Sequence, residues 1–328
     1  MALKRAWCLR FMLCVSSFLC LILLWSQLSP LFGEDRFHLT RPVSSSPKEG
    51  VDFSLLFSED LGEPQCQDHS VLLILVTSHP SHIEQRKAIR KTWASPMEGA
   101  AYPWQVVFLI GRTLDAELDW HIHKEDAEHR DILMGNYVDT YRNLSLKVMH
   151  GMKWVADRCH PQYILKTDDD CFVNTDRLPA SLALHSPAKT GLYVGSVFPR
   201  EKRKVIRDPS SKWYVSQHIF PPDIYPPYAS GIGYILSLDA VISVLKMAEG
   251  TPPIPVEDAY IGILAERAGI SLLSSSRFTK YNMKWSVCNY RYLMVIHRVS
   301  PGDQELAQKN VLRARTECTR KAEVAHWH

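Results

Sequence analysis

Three consecutive carboxylates, Asp168, Asp169 and Asp170, follow the apolar residues Tyr163-Ile164-Leu165 and precede Phe172 and Val173 in the stretch YILKTDDDCFVN. Adjacent carboxylates repel one another, and a cation among them relieves the repulsion. A hard divalent ion such as Mn2+, or Mg2+ in its place, takes oxygen ligands and keeps positions for phosphate and water. An ion holding a diphosphate neutralises its charge and makes it a better leaving group. The competing readings are a solvated acidic turn and a calcium loop. The first fits poorly with strand-like apolar residues on both sides. The second lacks the spaced acids, central Gly and distal Glu of an EF-hand.

A second pair of acids, Glu257 and Asp258, opens the helical stretch in PVEDAYIGILAERAG, which Gly269 stops. At that place carboxylates either cap the helix and offset its dipole or act as a rigidly held general base toward an alcohol. In PPDIYPPYASGIGYILS, prolines stiffen the chain while Gly231 and Gly233 allow close backbone approach. Tyr225 and Tyr228, with Trp213 and Tyr214 upstream, offer flat faces for a sugar ring or serve as core. The glycines lack the full dinucleotide-binding spacing, which argues against a nicotinamide cofactor. Arg86 and Arg90 share a helix face and suit a diphosphate or a solvated surface. His297 ends an apolar run in LMVIHRVSP, as a structural residue or a distant metal ligand.

These groups need elements to position them. VLLILVTSHP (71–80) reads as a strand buried on both faces. Residues 81–93 suit a helix with Ser81 as N-cap and Glu84 closing a capping box. WQVVFLIG (104–111) is the next strand, followed by a polar helix around 115–129 and a short strand near Tyr137-Val138. Leu144, Val148, Gly151, Met152 and Val155 line one face of a helix over 144–158. This alternation predicts an α/β fold with a mostly parallel sheet and helices on both faces. Ligands then bind beyond the C-terminal strand ends, where the three aspartates fall.

The chain of 328 residues carries 38 basic and 35 acidic side chains for a net charge of +3, and no long basic run points to nucleic acid. Lys4, Arg5 and Arg10 precede an uncharged stretch, 11–32, with Glu34 and Asp35 after it. Its length is close to the roughly 20 residues that cross a bilayer. The charge asymmetry predicts a cytoplasmic tail (1–10), a signal-anchor and a lumenal body. Residues 33–70, rich in Ser, Pro and charge, read as a flexible stem before a catalytic body at 71–328. Cys66, Cys159, Cys171, Cys288 and Cys318 lie in the body. Their odd number leaves one thiol free or pairing between chains, which admits a homodimer, and no CxxC spacing suggests zinc.

Taken together the segments LLILVTS, RKAIRKTW, DTYRNLSLK, YILKTDDDCFVN, SKWYVS, YPPYASGIGY, VEDAYIG and VIHRVSP resemble, in order, the β-1,3-galactosyltransferase family of Golgi glycosyltransferases. The resemblance implies a GT-A fold, a single-pass type II Golgi membrane protein and Mn2+-dependent inverting transfer from a UDP-sugar to a glycan acceptor on a glycoprotein or glycolipid. It implies Asp170 and His297 as metal ligands and Asp258 as catalytic base. Arg86, Arg90, Lys147, Asp168 and Asp169 would contact the UDP-sugar. Trp213, Tyr228, Gly231, Gly233 and Glu257 would form the acceptor and sugar pocket. UDP-galactose is the expected donor. The alternatives are a UDP-N-acetylhexosamine donor or a non-catalytic lectin or chaperone. Relatives often carry a cysteine pair where Ala229 and Leu264 stand, so packing replaces that link here. The sole N-x-S/T sequon, Asn143-Leu144-Ser145, makes Asn143 either a helix cap or a glycan carrier.

Overall fold

The structure is a computed structural model that describes residues 50–57, 63–67, 69–95, 100–282 and 285–318. Its first strand, β1 (Leu72–Thr77), is buried along its whole length. Because strand side chains alternate, Leu73 and Leu75 enter one core cluster while Leu72, Ile74 and Val76 enter another. Parallel neighbours β2 (Trp104–Arg112) and β3 (Ile132–Val138) extend the sheet on one side, and β4 (Tyr163–Asp168) lies on the other. The full order is β3-β2-β1-β4-β7-β6-β8, with β6 (Tyr193–Val197), β7 (Ala229–Ser237) and β8 (Leu272–Ser274). This is the mixed, mostly parallel α/β architecture that the strand–helix alternation predicts.

Helices cover both faces. Ile89 of α1 (Ile83–Lys91), Ile122 of α2 (Ala116–His129), Leu182 of α4 (Leu178–His185) and Val311 of α7 (Pro301–Glu317) pack in one cluster. Met149 of α3 (Leu144–Trp154), Val244 of α5 (Leu238–Ala248) and Ile261 of α6 (Glu257–Arg267) pack in the other. Each fully buried side chain of this kind contributes about 1.5–3 kcal/mol, so the layers are held by many small terms. Ala229 and Leu264 are both completely buried in the same cluster, as expected of packing in place of a cross-link.

Two details of topology decide where the site forms. First, β7 runs antiparallel to β4, pairing Thr167 with Gly233. Its N-terminal glycine segment therefore starts beside the C-terminal acids of β4. Second, a small sheet sets β10 (Val295–His297) between β5 (Cys171–Val173) and β9 (Phe278–Thr279). Its antiparallel register pairs His297 with Cys171, so a residue far along the chain lands next to the acids.

Several expectations are corrected. Ser81 does not cap α1: His82 occupies that position without a side-chain cap, Ser81 Oγ bonds His79 Nδ1 at 2.8 Å and Glu84 pairs with Lys87. The loop before α1 is committed to Asp169 and Arg86 instead. The α3 helix gives way at Val155 to a π-helical turn ending at Cys159, which is bonded to Cys66. Cys288 pairs with Cys318, leaving Cys171 free and buried.

The fold also reaches back into the stretch read as a flexible stem. Val51, Phe53 and Leu56 are buried in the core, Val51 N donates to Ala248 O at 2.9 Å, and Asn136 N donates to Leu56 O at 2.8 Å. The apolar segment is too short to show a periodicity, and its burial is decided by long-range contacts. The tail and signal-anchor lie outside the described residues. Among those described, no helix is long and apolar enough to cross a membrane.

Candidate active site

The three aspartates escape mutual repulsion by facing three different partners. Asp168 Oδ1 accepts from Thr77 Oγ1 and from Lys166 Nζ, each at 2.7 Å. Asp169 is buried, and its Oδ2 meets Ser78 Oγ at 2.7 Å and His82 Nδ1 at 2.8 Å. Asp170 Oδ2 lies 3.2 Å from His297 Nε2, and its side chain keeps 48% of its surface exposed. It is thus the most open of the three. Burial works against ionisation of Asp170, but the His297 hydrogen bond outweighs it and holds the carboxyl below its ordinary range.

His297 is oriented by its other nitrogen. Nδ1 lies 3.0 Å from the carbonyl oxygen of Lys280, which can only accept, so Nδ1 carries the hydrogen. Nε2 then turns toward Asp170. The hydrogen bond that the protonated ring donates to Asp170 raises its pKa against the opposing effect of burial. In its neutral form the ring offers Nε2 as a lone pair beside a carboxylate, a donor set that accepts Mn2+.

Opposite the acids, α6 presents Glu257 and Asp258 in its first turn. Asp258 is half-buried; its Oδ2 accepts from Gly231 N at 3.0 Å and its Oδ1 from Ala259 N at 2.9 Å. Burial raises its pKa, opposed by the Gly231 N–H and by Lys166. Glu257 is only 3% exposed and accepts from Tyr234 Oη. Burial pushes its carboxyl up to about 7. One acid therefore anchors the helix, and the other keeps access to the cleft.

Lys166 joins the two halves. Its Nζ donates to Asp168 Oδ1 and to Gly231 O, both at 2.7 Å, and lies 3.4 Å from Glu257 Oε2. Burial disfavours its charge, but Asp168 and Glu257 together raise its pKa. Gly231 has no internal crowding: an added Cβ would meet Asp258 Oδ2 at 3.5 Å and Lys166 Nζ at 3.6 Å, ordinary contacts. Gly233 is tighter, with Val295 at 3.3 Å, and serves packing of β7 against the small sheet.

This geometry can be set beside known proteins. The family described as Galactosyltransferase matches residues 84–276. Mouse β-1,3-galactosyltransferase 4 is 33% identical over 330 residues, covering 89% of this chain and 88% of that protein. Human β-1,3-galactosyltransferase 1 is 34% identical over 273 residues, covering 82% and 79%. Gorilla β-1,3-galactosyltransferase 5 is 36% identical over 235 residues, covering 70% and 78%.

The chain belongs to the galactosyltransferase family. It is a glycosyltransferase, and the resemblance in its motifs extends over most of its length.

In this galactosyltransferase-family protein the basic side chains expected at the nucleotide are otherwise engaged. Arg86 is fully buried and donates to Glu125 at 2.8 and 2.7 Å, to His79 O at 2.7 Å and to Pro80 O at 3.0 Å. Arg90 pairs with Glu125 at 2.7 Å and with Asp131 at 2.8 Å. Lys147 Nζ bonds Asp139 at 2.7 Å and Ser78 O at 2.8 Å. Arg86 and Lys147 thus fix the loop that carries Ser78 to Asp169. None of the three presents a spare charge to the acidic rim, and partners 6 to 69 residues away in sequence decided that.

The aromatic residues divide similarly. Tyr225 and Tyr228 are buried in the core, whereas Trp213 is 46% exposed. Lys212 Nζ stands 4.7 Å from the Trp213 ring centre and 4.9 Å from that of Tyr141. Tyr141, which no motif singled out, lies within the field of Asp258; burial first, and that charge second, push its phenol up to about 12. Asn143 does not cap α3: its Nδ2, the atom a glycan would occupy, donates to Val138 O at 2.9 Å.

Proposed function

We propose that this protein is an inverting β-1,3-glycosyltransferase that moves galactose from UDP-galactose to the 3-hydroxyl of a terminal GlcNAc- or GalNAc-type sugar on a glycoprotein or glycolipid. The observation that supports the reading is that buried Lys166 ties Asp168, beside the Asp170–His297 pair, to Gly231 and Glu257, next to half-buried Asp258. Asp258 takes the proton of the acceptor hydroxyl as that oxygen bonds to the anomeric carbon. The bond from that carbon to the diphosphate oxygen breaks, and UDP leaves with the electron pair. A single displacement turns an α-linked donor into a β product and needs no second carboxylate as nucleophile. Exposed Trp213 and Tyr141 supply faces on which an acceptor ring stacks.

Asp170 and His297 would hold a divalent ion, Mn2+ by their mixed oxygen and nitrogen donors. Among the described residues no group of three or more His, Cys, Asp or Glu side chains stands ready to hold a metal. Phosphate oxygens and water would complete its shell. When bound, the ion supplies positive charge at the diphosphate. The Golgi membrane location and the signal-anchor at 11–32 rest on the sequence and on the family.

The test is a screen of UDP-galactose, UDP-N-acetylglucosamine and UDP-N-acetylgalactosamine against a small acceptor panel, with product linkage determined. UDP-galactose giving a β-1,3 product is the expected result. Turnover of a UDP-N-acetylhexosamine alone moves the donor assignment, and absence of UDP release with every pair overturns the enzyme.

The pH profile tests the base. Asp258 must be ionised to accept a proton, and burial raises its pKa, so activity falls as pH drops through a value above the ordinary carboxylate range. We expect the acid limb of kcat/KM there. An acid limb at the pH of an unperturbed carboxyl contradicts the assignment.

A further inference from the structure

Arg86, Arg90, Lys147 and Lys166 all spend their charge on protein acceptors. A leaving diphosphate needs cations, so the question is which side chain near the cleft still has one to give. Lys280 stands out. It directly follows β9, and its carbonyl oxygen is the one that orients His297. Its half-buried ammonium lies 3.4 Å from the ring centre of Phe198, which packs on Tyr228 at 5.0 Å between centroids. Among the described residues Lys280 has no carboxylate within ion-pair distance, although it lies in the field of Asp258. An exposed second lysine, Lys202, acts on it as a like charge. Two like charges in a partly desolvated setting repel, and an anionic ligand between them turns that cost into attraction.

We propose that the Lys280 ammonium, with Lys202 beside it, binds the diphosphate of the nucleotide-sugar donor and offsets the charge that UDP gains as it leaves. The proposal rests on the glycosyltransferase reading and adds to it the side chain that does what the helix arginines do not. Lys280 is tethered by its main chain to the His297 side of the cleft, while its side chain reaches the wall built by Phe198 and Tyr228 near Asp258. A diphosphate between the acidic rim and the base meets it there. The aromatic ring beneath holds the ammonium without neutralising it.

The experiment measures binding of UDP and of uridine by titration calorimetry in Mn2+, for the wild-type protein, Lys280→Met and Lys280→Arg. Loss of a charge-assisted hydrogen bond predicts UDP binding weaker by about 10- to 100-fold in Lys280→Met. Uridine affinity stays unchanged and the thermal midpoint shifts little, because among the described residues the ammonium's protein contact is the Phe198 ring, which methionine still covers, and the His297 contact runs through the main chain. Lys280→Arg restores most of the UDP affinity. Unchanged UDP affinity in Lys280→Met overturns the proposal, as does an equal loss for UDP and uridine, which would mark a structural role. A wild-type protein that binds no UDP at all removes the donor reading itself, and this proposal with it.

Discussion

In Asp258→Asn, transfer falls by about 10^2- to 10^4-fold, the typical worth of a positioned general base, while UDP binding stays near the wild-type level. The substitution keeps the size of the side chain and an oxygen that can accept the Gly231 N–H, now 3.0 Å from the carboxylate. It removes the capacity to take a proton. In the proposed reading UDP is held by the ion at Asp170 and His297 and by Lys280, none of which the substitution removes. Steady-state kinetics and calorimetry on one preparation separate the two effects. Native turnover in the variant would show that another group accepts the proton, and weakened UDP binding would show that Asp258 acts on the donor.

Lys166→Met is expected to be the most destabilising change near the site. The ammonium is 1% exposed and stands between Asp168 and Glu257. Methionine fills a similar volume, so little is lost in packing. What is lost is the only cation within ion-pair distance of Glu257 among the described residues. Removing one partner of a buried charge pair costs about 3–5 kcal/mol. Glu257 can recover part of that by taking up a proton, since its carboxyl already sits at about 7. Stability in the variant should therefore be better at low pH than at high pH: a buried acid whose folded pKa is raised is accommodated while protonated and becomes costly as pH rises through that value. Urea unfolding at two pH values measures this, and the double variant Lys166→Met with Glu257→Gln should regain part of the loss at high pH. A single variant as stable as wild type at high pH would mean that water or another cation reaches Glu257.

The strand–helix alternation, the position of the acids at a strand end and the helix opening at Glu257 were all legible because each is written in local sequence. Apolar runs and turn residues mark elements directly. Lys166 was not legible as a pivot. Its neighbours name it part of a buried strand, but its partners Gly231 and Glu257 come from segments far along the chain. The same holds for Arg86 and Arg90. Spacing correctly placed them on one helix, yet Glu125 and Asp131, on and just beyond the next helix, took their charge. His297 reaches the acids through a three-stranded sheet whose strands are two or three residues long, too short for periodicity to reveal. Cysteine pairing likewise depends on the finished fold.

The anchoring of Val51, Phe53 and Leu56 has a practical consequence for anyone secreting this enzyme as a soluble fragment. A truncation made where the strand-forming sequence begins, at Val71, would discard three core side chains and one half of the Cys66–Cys159 cross-link. It would uncover the core side chains that these three pack against and strand Cys159 as a reactive thiol. A cut upstream of residue 50 keeps the whole hydrophobic seam and both bridges intact.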